Sequence, residues 1–273
     1  LDRSVELSHA LPVAMRASEM VNTSIFYVQL GEGDRAQQIF EHQQRVWGPG
    51  ASASMRVMMA FTESMLAWWS GDIGRCRNAV QCALDLAERE GLVTWNWLSY
   101  SQAIYNELLF GKTGAARGYL QRMEPFAMFC ACRLNVLILG GWADLIDGQI
   151  DQVWQKCRQG LDIIEVEGGS VFHGGLFNAL EAQVLAARGQ RAEAEQRLEK
   201  VEAIARAIPW FFLFGVFYLR AQWAFRDGDE ARGRFWLQRM LDEGKKSQQI
   251  SFMGWVPAEA SRLFAKALKY GME

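Results

Sequence analysis

The chain has 273 residues, half of them apolar and 22% charged, with a formal net charge of −2 at pH 7. Such a composition can bury a large core and excludes a disordered chain, and its near-neutral balance argues against the basic face of a nucleic-acid binder. The longest unbroken apolar run, residues 207–219, has 13 residues and contains Pro209 and Gly215, so it predicts a buried helix; a membrane span needs about 20.

No signal peptide opens the chain, and a cytoplasmic location is expected. Cys76, Cys82, Cys130, Cys132 and Cys157 are odd in number and lack a CxxC pair, which predicts reduced thiols used as small core residues, with no disulfide framework and no metal site. The chain opens on Leu1 without an initiator Met and closes on Glu273. The expectation is one domain, 1–273, excised from a larger multidomain protein.

Along the chain, Gly followed by Asp, Gln or Lys recurs at Gly33, Gly71, Gly111, Gly148, Gly189 and Gly228, in steps of 38, 40, 37, 41 and 39 residues. Even spacing of this kind marks a repeat array. Each glycine predicts the end of one helix, because Gly takes the left-handed C′ position without a Cβ penalty, and the residue after it opens a second helix. Small side chains flank the turn. Cys76, Ala116, Ala194 and Gly233 stand five residues after the glycine (Gln38 and Val153 are larger), while Ser64, Gly141, Ala182 and Ala221 stand seven before it (Phe26 and Ile104 are larger). Close packing of two helices across a tight turn is the logic of the tetratricopeptide (TPR) repeat.

Second helices carry one apolar stripe each, Ile73, Cys76, Val80, Ala83 and Ala87 in one and Ala194, Leu198, Val201 and Ala205 in another. Pro12, Pro49, Pro125 and Pro209 mark where first helices should begin, and Pro257 opens a last helix that runs to about Tyr270. The predicted fold is all-α: a right-handed α–α superhelix, a TPR-like solenoid of about six helix pairs plus a C-terminal capping helix. The mean step of 39 residues exceeds the 34 of a TPR by about one helical turn.

Two stretches imitate nucleotide motifs. Gly111-Lys112-Thr113 resembles the end of a P-loop, but Asn106 stands where the first Gly belongs, and Gly31-Glu32-Gly33 lacks the preceding strand of a dinucleotide site. No cofactor is implied. His9, His42 and His173 have no ligand spacing; residues 168–175 around His173 read as an inter-repeat loop. The carboxylates Glu193, Glu195, Glu199 and Glu202 read as a solvated helix face among basic neighbours. No catalytic triad order is evident.

The surplus lies in aromatics: 11 Trp, 16 Phe and 6 Tyr. In a TPR-like superhelix the first helices line a groove, and counting six and ten residues back from the glycines gives Tyr27, Phe61, Met65, Tyr105, Trp142, Gln183, Tyr218 and Gln222 as candidate groove residues. Aromatic faces with hydrogen-bonding ends suit a binding surface; they equally suit gaps between neighbouring helix pairs.

The array of helix pairs of about 40 residues, with Trp255-Val256-Pro257 and the ending Ala267-Leu268-Lys269-Tyr270-Gly271-Met272-Glu273, resembles the C-terminal superhelical region of MalT-like regulators, a branch of the STAND signal-transduction ATPases. The resemblance implies a non-enzymatic, bacterial sensor and protein-docking arm that holds a small inducer or partner protein. It also implies an ATPase switch and an output module elsewhere in the parent protein. Two other readings stand beside it, a free-standing TPR-type adaptor and, fitting less well, an α/α-toroid carbohydrate-active enzyme.

Overall fold

In the computed structural model of the chain, which describes residues 24, 27, 32–47, 50–92, 96–205 and 209–272, every regular element among the described residues is helical. The chain divides into two compact units, Leu1–Gln102 and Ala103–Glu273.

In the first unit the described helices are α1 (Gly33–Trp47), α2 (Ala53–Trp69) and α3 (Ile73–Arg89). Ser52, in extended backbone, caps α2 by accepting from the Met55 amide at 3.4 Å, and Asp72 caps α3 by accepting from the Arg75 amide at 3.0 Å. Between them the chain makes a Schellman turn. The Gly71 amide donates to Trp68 O at 3.1 Å and the Asp72 amide to Ala67 O at 2.8 Å, with Gly71 at φ +78°. The stripe predicted for α3 is buried at Cys76, Val80, Ala83 and Ala87 and half-buried at Ile73.

After α4 (Asn96–Leu109), which begins in the first unit, the second unit continues with α5 (Thr113–Met123), a 3-10 turn (Glu124–Phe126), α6 (Cys130–Ile146) and α7 (Ile150–Glu167). Then come α8 (Val171–Ala187), α9 (Arg191–Ala205), α10 (Pro209–Arg226), α11 (Glu230–Ser247) and α12 (Pro257–Lys269). The same turn closes each pair: amides of Lys112, Gln149, Gln190 and Asp229 donate to carbonyls of Glu107, Asp144, Leu185 and Ala224 at 2.9, 2.8, 2.9 and 2.9 Å. Ile104, Ala182 and Ala221 before these turns, and Ala116, Val153 and Ala194 after them, are fully buried, so close packing at these positions holds each pair together. The stripe of α9 is buried at all four expected positions. The fold is an all-α, TPR-like array of consecutive helix pairs.

Three expectations shift. The turn before α1 is made by Glu32, whose amide donates to Tyr27 O at 2.9 Å as Asp72 does to Ala67 O, while Gly33 is the first residue of α1. Counted from that bond, fully buried Ala36 takes the small-residue place assigned to Gln38. Second, residues 168–175 are loop only as far as Ser170, which caps α8 by accepting from the His173 amide at 3.3 Å, so His173 lies in a helix. Third, Pro125 sits in the 3-10 turn ahead of α6; Pro209 and Pro257 open helices as expected, and Pro12 and Pro49 lie outside the described residues.

Several helical glycines are seats for phenylalanine rings. A Cβ on Gly160 of α7 would come within 2.1 Å of the Phe177 ring of α8, and one on Gly175 of α8 within 2.5 Å of the Phe212 ring of α10. In each case the tip of a ring from the next first helix fills the space over bare backbone. Gly215 of α10 is a seat of the same kind, its Cβ position 2.8 Å from the ring of Phe252. But Phe252 belongs to no helix.

Candidate functional site

Phe252 lies in the segment between the C-cap of α11, Gln248, and Pro257 at the start of α12. This strap is laid against the face formed by α6, α8 and α10. It starts from a left-handed Gln248 at φ +55° and ends at Val256 in extended backbone (φ −100°, ψ 117°), as a residue before proline prefers. Ser251, Phe252, Met253 and Gly254 are buried, and Ile250 is exposed. The Phe252 ring packs against Tyr218 with centroids 5.0 Å apart, and Trp255 meets Phe264 of α12 edge-on at 6.4 Å. Phe252 and Met253 share an apolar pocket with Leu176 and Ala179 of α8 and Val216 and Leu219 of α10. At its end the strap reaches the α4–α5 turn, Pro257 Cγ standing 3.7 Å from where a Cβ on Gly111 would be.

Buried backbone carbonyls must be paired, and here side chains pair them. Gln183 Nε2 of α8 donates to Gly254 O at 2.9 Å, and Trp142 Nε1 of α6 donates to Trp255 O at 2.7 Å. Tyr218 of α10 donates its hydroxyl to Val256 O at a longer 3.5 Å. Three first helices thus read three consecutive carbonyls, while Gln249 Nε2 holds Ser251 O at 2.7 Å. Burial, followed by the nearby Glu259 carboxylate, pushes the Tyr218 hydroxyl pKa upward, which keeps its proton available for donation. Burial alone does the same for Tyr105, whose ring is tilted against Trp142 at 6.3 Å.

Of the eight residues chosen from the sequence, Trp142, Gln183 and Tyr218 are brought together on the strap, with Tyr105 beside Trp142. All four are buried, at 1%, 8%, 1% and 8% exposure. Gln222 stands apart: with Phe225 and Arg226 it lines a cavity completed by Glu259, Arg262, Leu263 and Lys266 of α12. Phe61 and Met65 of α2, in the first unit, are half-buried. Tyr27, also in the first unit, is buried beneath the Arg35 guanidinium at 4.7 Å. By its turn bond from Glu32, Tyr27 aligns with Ala67 at the turn and not with the groove row.

Of the strap, only Trp255 and Val256 figure in the sequence analysis, as part of the C-terminal resemblance, although an aperiodic apolar stretch between two amphipathic helices marks the rest. The carboxylates of α9 do more than form a solvated face. Glu195 and Glu202 bond the buried Arg220 guanidinium of α10 at 2.6 and 2.9 Å, so they tie two helices together as well as meeting solvent. Similar ties hold buried Asp144 of α6 to Arg117 at 2.8 Å and Lys156 at 2.5 Å, and buried Glu181 of α8 to Arg197 at 2.9 Å. The P-loop look-alike is a repeat turn in which Thr113 donates to Asp147 Oδ1 at 2.9 Å. His173 Nδ1 lies 2.6 Å from Ser170 Oγ, and burial lowers its pKa. Among the described residues no group of three or more His, Cys, Asp or Glu is arranged to hold a metal ion, and no helix is long and apolar enough to cross a membrane.

No family model matches the sequence, and no curated protein matches it. Among solved structures the chain is similar to NprR, in a crystal structure of NprR in complex with its cognate peptide NprX. The similarity has a TM-score of 0.59 at 12% identity and covers 97% of this chain and 76% of that one. At that identity the likeness establishes the fold alone.

Proposed function

We propose that this chain is the binding arm of a regulatory protein and that the α6–α8–α10 face holds an extended polypeptide segment. The observation that carries the reading is the set of donations from Gln183, Trp142 and Tyr218 to consecutive carbonyls. Side chains that pair with main-chain oxygens recognise extended backbone whatever its sequence, and apolar pockets beside them, as around Phe252 and Met253, add selectivity. A small sugar-like inducer would want many polar side chains converging on hydroxyls; this face offers apolar surface with a few donors. That NprR was solved with a peptide favours the peptide over the small inducer.

The finer reading is a sensor and protein-docking arm of a MalT-like bacterial transcriptional regulator, cytoplasmic and non-enzymatic, one repeat domain within a longer protein. It rests on the resemblance of repeat length and C-terminal motif. Calorimetric titration of the chain with eight-residue apolar peptides and, separately, with malto-oligosaccharides tests the choice of ligand. Peptides should bind, and Gln183→Ala should weaken them about five- to tenfold, the equivalent of losing one net hydrogen bond of about 1–1.4 kcal/mol. Oligosaccharide binding with no peptide binding would defeat the reading.

A further inference from the structure

We infer that the strap, residues 249–256, is an internal copy of the ligand: it occupies the groove as a competitor, and the external ligand is an extended, uncharged peptide of the same pattern, two adjacent bulky apolar residues, a glycine, then an aromatic. The inference rests on the peptide-groove reading proposed above and adds the ligand's chemistry and its gate.

The pattern comes from what each strap residue meets. Phe252 lies on Gly215, continuing the ring-on-glycine packing by which Phe177 and Phe212 seat on Gly160 and Gly175, so this end of the groove has room for an aromatic ring. Met253 shares that apolar pocket. The next position demands glycine on two independent grounds. Its φ is +102°, and a Cβ there would stand 3.3 Å from Gln183 Nε2 and 3.4 Å from Leu180 Cδ2, crowding the amide that reads its own carbonyl. The aromatic after it presents its carbonyl to Trp142.

The three successive carbonyls are each paired by a side chain from a different first helix, donors that any extended segment of this pattern could use. The strap's attachment is that of a tethered ligand. α12 holds the far end through Glu230 of α11, which accepts from Tyr270 and, at 3.2 Å, from Lys266. Held at both ends, the strap faces its groove at an effective concentration in the millimolar range, so a free peptide of equal quality competes poorly until the strap is weakened.

The test uses the full chain and a fluorescein-labelled peptide with the sequence of residues 250–257, Ile-Ser-Phe-Met-Gly-Trp-Val-Pro, read by anisotropy. The double variant Phe252→Ser with Met253→Ser should bind the peptide at least tenfold tighter than the parent, as expected when a closed state populated above about 90% is relieved. A peptide carrying Val at the glycine position should not bind either protein. Because the variant can lose stability, hydrogen exchange on the unmodified chain supplies the second measurement. Saturating peptide should speed exchange of strap amides 250–256 while α6, α8 and α10 stay protected. Equal peptide affinity for parent and variant, or strap exchange unchanged under saturating peptide, overturns the internal-ligand inference and leaves the groove reading standing. A folded variant that binds neither this peptide nor any of the apolar peptides overturns both.

Discussion

The α2–α3 pair of the first unit and the α8–α9 pair of the second obey the same rules of turn, cap and stripe, yet their outward-facing positions meet different fates. Ser52 caps α2 as Ser170 caps α8, Gly71 turns the first pair as Gly189 turns the other, and the small residues Cys76 and Ala194 are fully buried behind those turns. But Met65 of α2 is half-buried, whereas Gln183, its counterpart six residues before the turn of α8, is buried under the strap. The contrast shows that a repeat's inner architecture and its surface chemistry are set separately. The first follows from local helix pairing; the second depends on what a distant part of the chain lays across it.

The largest test of that contrast is Trp142→Ala. Trp142 is fully buried and bonded to the strap, so its loss should cost about 3–5 kcal/mol of stability in denaturant unfolding, while Met65→Ala at the equivalent half-buried place of α2 should cost less than half as much. Equal losses would remove the distinction. Trp142→Phe should retain most of the packing and lose about 1 kcal/mol for the missing donor.

Next comes the pair of helical glycines in second helices. Gly160→Ala should destabilise by about 1–3 kcal/mol, because its Cβ would lie 2.1 Å from the ring of fully buried Phe177, which has no room to withdraw. Gly74→Ala in α3, whose nearest neighbour would be Asp72 Oδ1 at 3.7 Å, should instead stabilise by about 0.5–1 kcal/mol. Thermal melts of the two variants should move in opposite directions.

Last is the turn itself. A Cβ on Gly189 would meet nothing within 4 Å, so the cost of Gly189→Val is purely that of holding a β-branched residue at φ +79°, about 1–2 kcal/mol. The same change at Gly71, φ +78°, should cost as much within experimental error, since the turns agree where the surfaces do not. A melt showing either variant as stable as the parent would reject the left-handed turn.

What could be read from the sequence was what repeats. Gly71, Gly111, Gly148, Gly189 and Gly228 announced their turns because a positive φ leaves a chemical mark, and the stripes of α3 and α9 were visible because helical burial has a period. Gly33 misled because the hydrogen bond that sets this turn, Glu32 to Tyr27 O, leaves no residue preference behind. Trp142, Gln183 and Tyr218 were found by counting from those turns, but their partner was not, because the strap lies 71 residues from Gln183 and 113 from Trp142 in sequence. Backbone carbonyls, moreover, are the same in every residue. The ring seats Gly160, Gly175 and Gly215 were illegible for a related reason: a helical glycine alone does not say which ring lies on it.

Attachment of the strap at both ends has a consequence in time. A free tail would unpeel from one end and wander; this one can leave its groove only as a bulge of about ten residues between α11 and α12, and a loop of that size recloses in about 10–100 ns. Closure of this kind is far faster than the arrival of a peptide from solution at typical association rates. A visiting ligand would therefore sample a settled ratio of covered to uncovered grooves and would never wait on a slow door. Sensitivity would be adjusted through the strength of a few strap contacts alone, so that exchanging one apolar side chain for another at Met253 could reset the concentration at which the arm responds without disturbing the helices beneath.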